Sequence, residues 1–287
     1  MVKVNKDLFG NEIIEDELLR DKFIEPPFSV LDTKSGNWQK RKRLWRSKGL
    51  KSEIGRDAKV FNMQERIKGL NTLSDISIFD PALCEVLYHW FCPEGGTILD
   101  PFAGGSVRGI VANYLGYKYT GIDIRQEQID SNREQALDIL PVNNQPQWYV
   151  GDSNVLLDGN WQTKFDFVFS CPPYADLEVY SDLDGDISNK PYEQFLELYE
   201  SIIAKSCNLL NKGCYACFVV GEVRDKNGYY IGFVPDTIKA FEKCGMKFYN
   251  EAILLNVIAS ASMRANGNMK SKKLVKVHQN VLVFKKI

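Results

Sequence analysis

No stretch of the 287-residue chain approaches the ~18–20 consecutive apolar residues that a membrane span requires. Its opening, MVKVNKDLFGNEIIEDELL, lacks the apolar stretch of a secretion signal. The expectation is a cytoplasmic protein with no membrane partner. A disulfide framework is also missing: the seven cysteines are an odd number without regular spacing, so reduced thiols are expected. Cys214-Tyr-Ala-Cys217 has the spacing of half a zinc site, but it sits in the strand-like run CYACFVV with no second CxxC and no nearby histidine, so no metal is expected. No internal repeat is visible.

With 44% hydrophobic and 25% charged residues, the chain can bury one large core. The net charge of -1 conceals segregation. Residues 34–59 hold ten Lys/Arg against two acids, 259–276 hold five basic residues and no acid, and 175–186 hold five acids and no base. Such a distribution suits a basic surface for phosphates, although charge runs are also ordinary solvated faces.

Residues 1–70 are polar and interrupted by Pro26-Pro27, Gly36, Gly49 and Gly55, with one possible helix around 13–22. They are expected to form a basic N-terminal extension on a domain spanning 71–287. Leu83, Val86, Leu87 and Trp90 then fall at helical spacing, ahead of a Pro-Glu-Gly-Gly turn. Beyond it, short apolar runs (97–100, 119–124, 147–152, 165–170, 215–222, 248–259, 279–286) alternate with helical stretches near 106–115, 126–139, 191–210 and 234–244. That alternation predicts an α/β fold with a mostly parallel sheet covered on both faces, closed by an antiparallel C-terminal hairpin at one edge.

The densest local signal is Asp100-Pro101-Phe102-Ala103-Gly104-Gly105-Ser106, between a strand and a helix. Ligands of α/β sheets bind at the carboxyl ends of strands, where glycines admit the ligand and a helix N-terminus offers free N–H groups. The loop has neither the GxGxxG of dinucleotide sites nor the Gly-Lys-Ser/Thr of a P-loop. Its carboxylate instead suits a ligand with an amino group, such as S-adenosylmethionine. Gly121-Ile122-Asp123, followed by Ile124, sets an acid where a ribose diol would lie, and Asp152, followed by Ser153, sets one near an adenine amino group. Each acid alone is equally a loop cap; three at successive strand ends argue for a site.

The fourth strand ends in Ser170-Cys171-Pro172-Pro173-Tyr174. Two prolines remove two N–H donors and leave carbonyls free to accept from a base amino group, while an adjacent tyrosine can stack on the ring. A rigid turn would use the same residues.

Taken together, DPFAGGS, GIDI, GDS and SCPPY resemble the motif series of the amino-group DNA methyltransferases, with their DPFxGxG loop and (Asp/Asn/Ser)-Pro-Pro-(Tyr/Phe) corner. The resemblance covers roughly residues 75–287 and, lacking a long insert for target recognition, is nearest to orphan or phage-type enzymes. It implies a seven-stranded Rossmann-like sheet, S-adenosylmethionine as methyl donor, and a DNA partner presenting a flipped base or a single strand. By that resemblance Asp100, Phe102, Ala103 and Gly104 line the methionine side, Asp123 the ribose and Asp152 the adenine, while Ser170 to Tyr174 are catalytic. The Ser-containing corner leans towards cytosine N4 over adenine N6. Cys171 departs from the pattern, since a thiol is a weak acceptor; it also leaves open a cytosine-C5 reaction with Cys171 as nucleophile. The same residues are compatible with an RNA base methyltransferase, a small-molecule methyltransferase, or a non-enzymatic DNA-binding protein on the same fold.

DNA contacts are expected from Trp38, Arg41, Arg43, Trp45 and Arg46, which interleave aromatic and basic side chains, and from Arg264 and Lys270 in a small, polar segment read as a mobile loop. The acidic 175–190 stretch is a lid over the cleft or a plain surface loop. The sequence leaves the oligomeric state open.

Overall fold

A computed structural model describes residues 5–6, 12–13, 19–51, 79–162, 164–174, 185–256 and 261–287. Two short strands, β1 (Asn5–Lys6) and β2 (Glu12–Ile13), pair antiparallel ahead of helix α1 (Leu19–Phe23). Of the helix expected around 13–22, Ile13 belongs to β2 and residues from Leu19 onward are helical, while residues 14–18 lie outside the described residues. Strand β3 (Val30–Asp32) and helix α2 (Gly36–Ser47) follow.

Helix α3 (Pro81–Phe91) begins where Asp80 caps it, accepting from the Ala82 N–H, with proline in the first turn where its missing N–H costs nothing. Then come β4 (Thr97–Asp100), α4 (Val107–Tyr114), β5 (Lys118–Asp123), α5 (Gln126–Ile139), β6 (Gln147–Val150), the single turn α6 (Ser153–Leu156) and β7 (Phe165–Ser170). The chain ends with α7 (Tyr192–Leu209), β8 (Leu210–Val220), α8 (Phe233–Lys243), β9 (Met246–Leu255), α9 (Ala261–Lys270) and β10 (His278–Lys286).

Eight strands form one sheet in the order β3-β9-β10-β8-β7-β4-β5-β6. Strands β4 to β8 run parallel, and β10 runs opposite to both of its neighbours. The antiparallel C-terminal pair β9–β10 lies on the expected side of the sheet, with β10 next to β8. One detail differs from the expectation. An eighth strand, β3 from the N-terminal extension, pairs parallel with β9 and takes the edge. Helices α2 to α5 cover one face around Tyr88, Ile110, Phe167 and Trp148, and α7 and α8 cover the other around Phe195, Tyr199, Phe218 and Phe241. The segment expected to be a mobile loop contains α9, since Ala261, Met263, Ala265 and Met269 are sound helix formers around the lone Gly267.

The chain winds from β4 outward through β5 to β6 and then returns to β7 on the other side of β4. Such a reversal opens a crevice at the carboxyl ends of the two central strands. Both dense motifs, the loop after β4 and the corner after β7, open there. Among the described residues no helix is long and apolar enough to cross a membrane, and no group of three or more His, Cys, Asp or Glu could hold a metal ion.

Candidate active site

The first acid of the site has a different task from its neighbours. Asp100 is completely buried. Arg108 Nε and Tyr119 Oη donate to its Oδ2 at 2.5 and 2.6 Å, and Ser170 Oγ donates to its Oδ1 at 2.5 Å. Both carboxylate oxygens are thereby committed within the protein, which corrects the expectation that Asp100 meets the ligand directly. Ser170 is corrected with it: the side chain is fully buried and points at Asp100 rather than into the cleft. Arg108 also donates to the carbonyls of Phe102 and Ala103 and lies 4.5 Å from the centre of the Phe79 ring. Burial disfavours its charge, but the adjacent carboxylate outweighs that and holds the guanidinium protonated. This four-residue network ties the loop after β4 to the corner after β7 and orders both.

Elsewhere in the loop, Ala103 is buried with its N–H on the Ile122 carbonyl, and Ser106 Oγ turns inward to Gln135 at 2.8 Å. Neither side chain lines the cleft, correcting their assignment as direct ligands. Pro101, Phe102, Gly104 and Gly105 do line it, as do Asp123, Ile124, Asp152 and Ser153. Asp123 accepts from the Gly104 N–H and from the Arg125 N–H, each at 2.9 Å, leaving lone pairs on both oxygens. Burial pushes its carboxyl above the ordinary range against the pull of Arg125. Asp152 caps α6 through Oδ1, and Ser153 Oγ holds the Pro101 carbonyl at 2.5 Å. The 175–184 stretch lies outside the described residues, but Gly185-Asp186-Ile187 closes this side of the cleft. A Cβ on Gly185 would stand 2.8 Å from Ile124 Cδ1 and 3.3 Å from Asp152 Oδ2, so the turn packs closely on both side chains.

At the corner, Cys171, Pro172, Pro173 and Tyr174 all face the same cleft. Tyr174 packs edge-on against Phe233 at 5.8 Å, and Gln279 of β10 donates to its hydroxyl at 2.8 Å. The ring is therefore fixed at the mouth by two elements distant in sequence. Cys171 packs partly against the core cluster beneath α3.

Three residues expected to touch DNA are structural. Trp38 is 1% exposed, with Nε1 on Asp80 at 2.9 Å, and Arg41 pairs with Glu85 at 2.7 Å. Trp45, 2% exposed, likewise donates to Glu85. Together they dock α2 onto α3, so neither tryptophan ring is open for stacking. Arg43 and Arg46 are exposed on the outer face of α2, and Arg264 and Lys270 are exposed on α9.

Sequence reasoning missed Phe79, Arg108 and Gln279, which line the cleft, and placed Asp186 and Ile187 only within the 175–190 stretch read as a lid or a surface loop. The only local cues were Phe79 just ahead of the Asp80-Pro81 cap and Asp186 closing the acidic run. Arg108 and Gln279 carried none.

The reversal between β4 and β7, with one reversed strand beside β8, defines the Rossmann-like methyltransferase fold, whose cofactor is S-adenosylmethionine. The model of a DNA methylase family, N6_N4_Mtase, matches residues 22–134 of the chain. Among solved structures, TrmN from Thermus thermophilus aligns at 15% identity and a TM-score of 0.47 over 72% of this chain and 49% of its own. This chain thus spans about half of TrmN. A TehB-like S-adenosylmethionine-dependent methyltransferase from Corynebacterium glutamicum aligns at 19% identity and 0.44 over 88% of this chain and 97% of its own. Magnesium protoporphyrin IX methyltransferase from Synechocystis PCC 6803, solved with S-adenosylmethionine bound, aligns at 13% and 0.46 over 89% and 93%. No curated protein sequence matches the chain.

The residues present fit that cofactor. The cleft combines Asp123, with spare acceptor capacity suited to a diol, and Asp152, whose Oδ2 takes no hydrogen bond from the described residues, with apolar walls from Phe102, Ile122 and Ile187.

Proposed function

We propose that this protein methylates the exocyclic amino group of a base in DNA, presented to the cleft by flipping or from a single strand. One observation carries the reading: the Pro172–Tyr174 corner and the acids Asp123 and Asp152 line a single cleft.

S-adenosylmethionine supplies an electrophilic methyl group on a sulfonium. Asp123 would hold its ribose hydroxyls and Asp152 its adenine amino group, while Gly104 and Gly105 would leave room for the methionine portion. The target amine is a poor nucleophile because its lone pair is delocalised into the base. The carbonyls of Cys171 and Pro172 would accept hydrogen bonds from its two N–H groups and draw the nitrogen towards a tetrahedral geometry, while Tyr174 holds the base by stacking; as the new N–C bond forms, the sulfonium S–C bond breaks to leave S-adenosylhomocysteine, and the proton shed by the nitrogen passes to water. Ser170 is engaged by Asp100, so no side chain of the corner favours cytosine N4 over adenine N6; the choice falls to the shape of the pocket around Tyr174.

The test is nucleoside mass spectrometry of DNA and RNA incubated with the protein and methyl-labelled S-adenosylmethionine, beside a Pro172→Ala/Tyr174→Ala double variant. Label in N4-methylcytosine or N6-methyladenine of DNA, lost in the variant, is expected and names the base. Label in 5-methylcytosine would make Cys171 a nucleophile. Label in RNA alone, or none in either despite cofactor binding, would overturn the proposal.

A further inference from the structure

The connection between β8 and α8 is a tight hairpin that none of the site chemistry above uses. The Gly228 N–H donates to the Asp225 carbonyl at 2.9 Å, the Asp225 N–H donates to the Tyr229 carbonyl at 2.8 Å, and the Ile231 N–H donates to the Val223 carbonyl at 3.0 Å. Gly228 sits at a φ of 91°, and Lys273 Nζ lies against it where any side chain would stand. At the tip Tyr229 is 73% exposed and Tyr230 51% exposed, an unusual amount of aromatic surface to leave in water. The guanidinium of Arg224 lies 3.9 Å from the centre of the Tyr230 ring, and its Nη1 donates to the Gly228 carbonyl at 2.7 Å. The one acid of the turn, Asp225, is engaged by the Tyr229 N–H at 2.8 Å.

The hairpin also leaves the sheet beside the corner. A Cβ on Gly221, just past the end of β8, would stand 3.5 Å from Tyr174 Oη and 3.7 Å from Lys276 Nζ. Glu222 then accepts the N–H groups of Gly232 and Val234 and closes the hairpin's base. Lys273 at the tip and Lys276 at the mouth belong to one acid-free run between α9 and β10.

We propose that this hairpin is a docking surface for the DNA strand flanking the target base, with Tyr229 and Tyr230 stacking on unpaired bases and Lys226 and Lys273 neutralising phosphates. The inference rests on the functional reading above and specifies how its substrate is held. Exposed rings flanked by Arg224, Lys226 and Lys273 match a polyanion with stacked bases, with the exposed Asp225 the one charge in the turn that opposes it. The internal hydrogen bonds order the rings in advance, so little freedom is lost on binding.

Fluorescence anisotropy with a labelled DNA single strand and its duplex tests this on the full chain, using Tyr229→Ala/Tyr230→Ala, Tyr229→Phe/Tyr230→Phe and Lys226→Ala. Loss of both rings should weaken DNA binding about ten-fold or more, since each stacked base is worth at least several-fold. The phenylalanine pair should keep the affinity within about three-fold, because stacking persists, and all three variants should bind S-adenosylhomocysteine like the parent. Lys226→Ala should lower the salt slope of DNA binding by about 1. If the parent methylates DNA but the alanine pair keeps its Kd and KM, the hairpin inference falls and the function stands. If the parent neither binds nor methylates DNA, both fall. A hairpin dependence seen with RNA and not with DNA would overturn the choice of DNA.

Discussion

The two Lys/Arg-rich segments differ in what stands opposite their cations. In α2, Trp38, Arg41, Lys42 and Trp45 occupy positions i, i+3, i+4 and i+7, which is one face of a helix. That face meets Asp80 and Glu85 of α3 and its cap: Lys42 pairs with Asp80 at 3.1 Å, Arg41 pairs with Glu85, and both indole N–H groups find the same two carboxylates. In the segment from α9 to β10 only Ala261 of the helix is buried, Met263 and Met269 are exposed, and the run from 259 to 276 contains no acid. Interleaved aromatic and basic residues therefore do not define a nucleic-acid surface by themselves. What decides is whether carboxylates stand opposite to consume the cations.

The sharpest way to break this contrast is Trp38→Ala. The residue is essentially inaccessible, so its loss should cost about 3–5 kcal/mol of stability, read from urea unfolding, with DNA affinity of the folded fraction unchanged. A stable variant with impaired DNA binding would return α2 to the substrate surface. Next in size, Arg264→Ala/Lys270→Ala should leave stability within about 0.5 kcal/mol yet lower the slope of log Kd against log salt by about 2, one for each phosphate that a basic side chain no longer neutralises. An unchanged slope would remove α9 from the interface.

The same dependence on partners limits what could be read in the sequence. Strands β4 and β7 and helix α5 stand where their patterns put them, because an unbroken apolar run or a sustained helical period is a local property. The convergence of loop, acids and proline corner was legible too, since all lie just past strand ends in an alternating α/β chain. The role of Asp100 was not. Its partners Arg108, Tyr119 and Ser170 come from one helix and two other strands, and only their meeting turns a candidate ligand into a buried structural acid. Helix α2 was missed because two of its four inward positions are cations, which erases the apolar period that usually signals a helix. The placement of β10 between β8 and β9 depends on sheet order, to which chain order is blind.

The outer face of α2 gives the smallest expected effect and the finest test of the contrast. Arg43 and Arg46 are exposed, so no carboxylate in the core explains them. Their position nonetheless points away from substrate. The helix starts at the rim of the cleft, where Trp38 meets Asp80, next to the cleft-lining Phe79. It ends where Trp45 packs at 5.2 Å on Tyr114, the last residue of the helix that begins at the cleft with Val107. Arg43 and Arg46 thus lie progressively towards the end of α4 that is remote from the cleft. Arg43→Ala/Arg46→Ala should change stability by less than about 0.5 kcal/mol and the salt slope by less than about 1. A decrease as large as that from Arg264→Ala/Lys270→Ala would mean that DNA wraps around α2 as well, and that both basic segments serve the substrate after all.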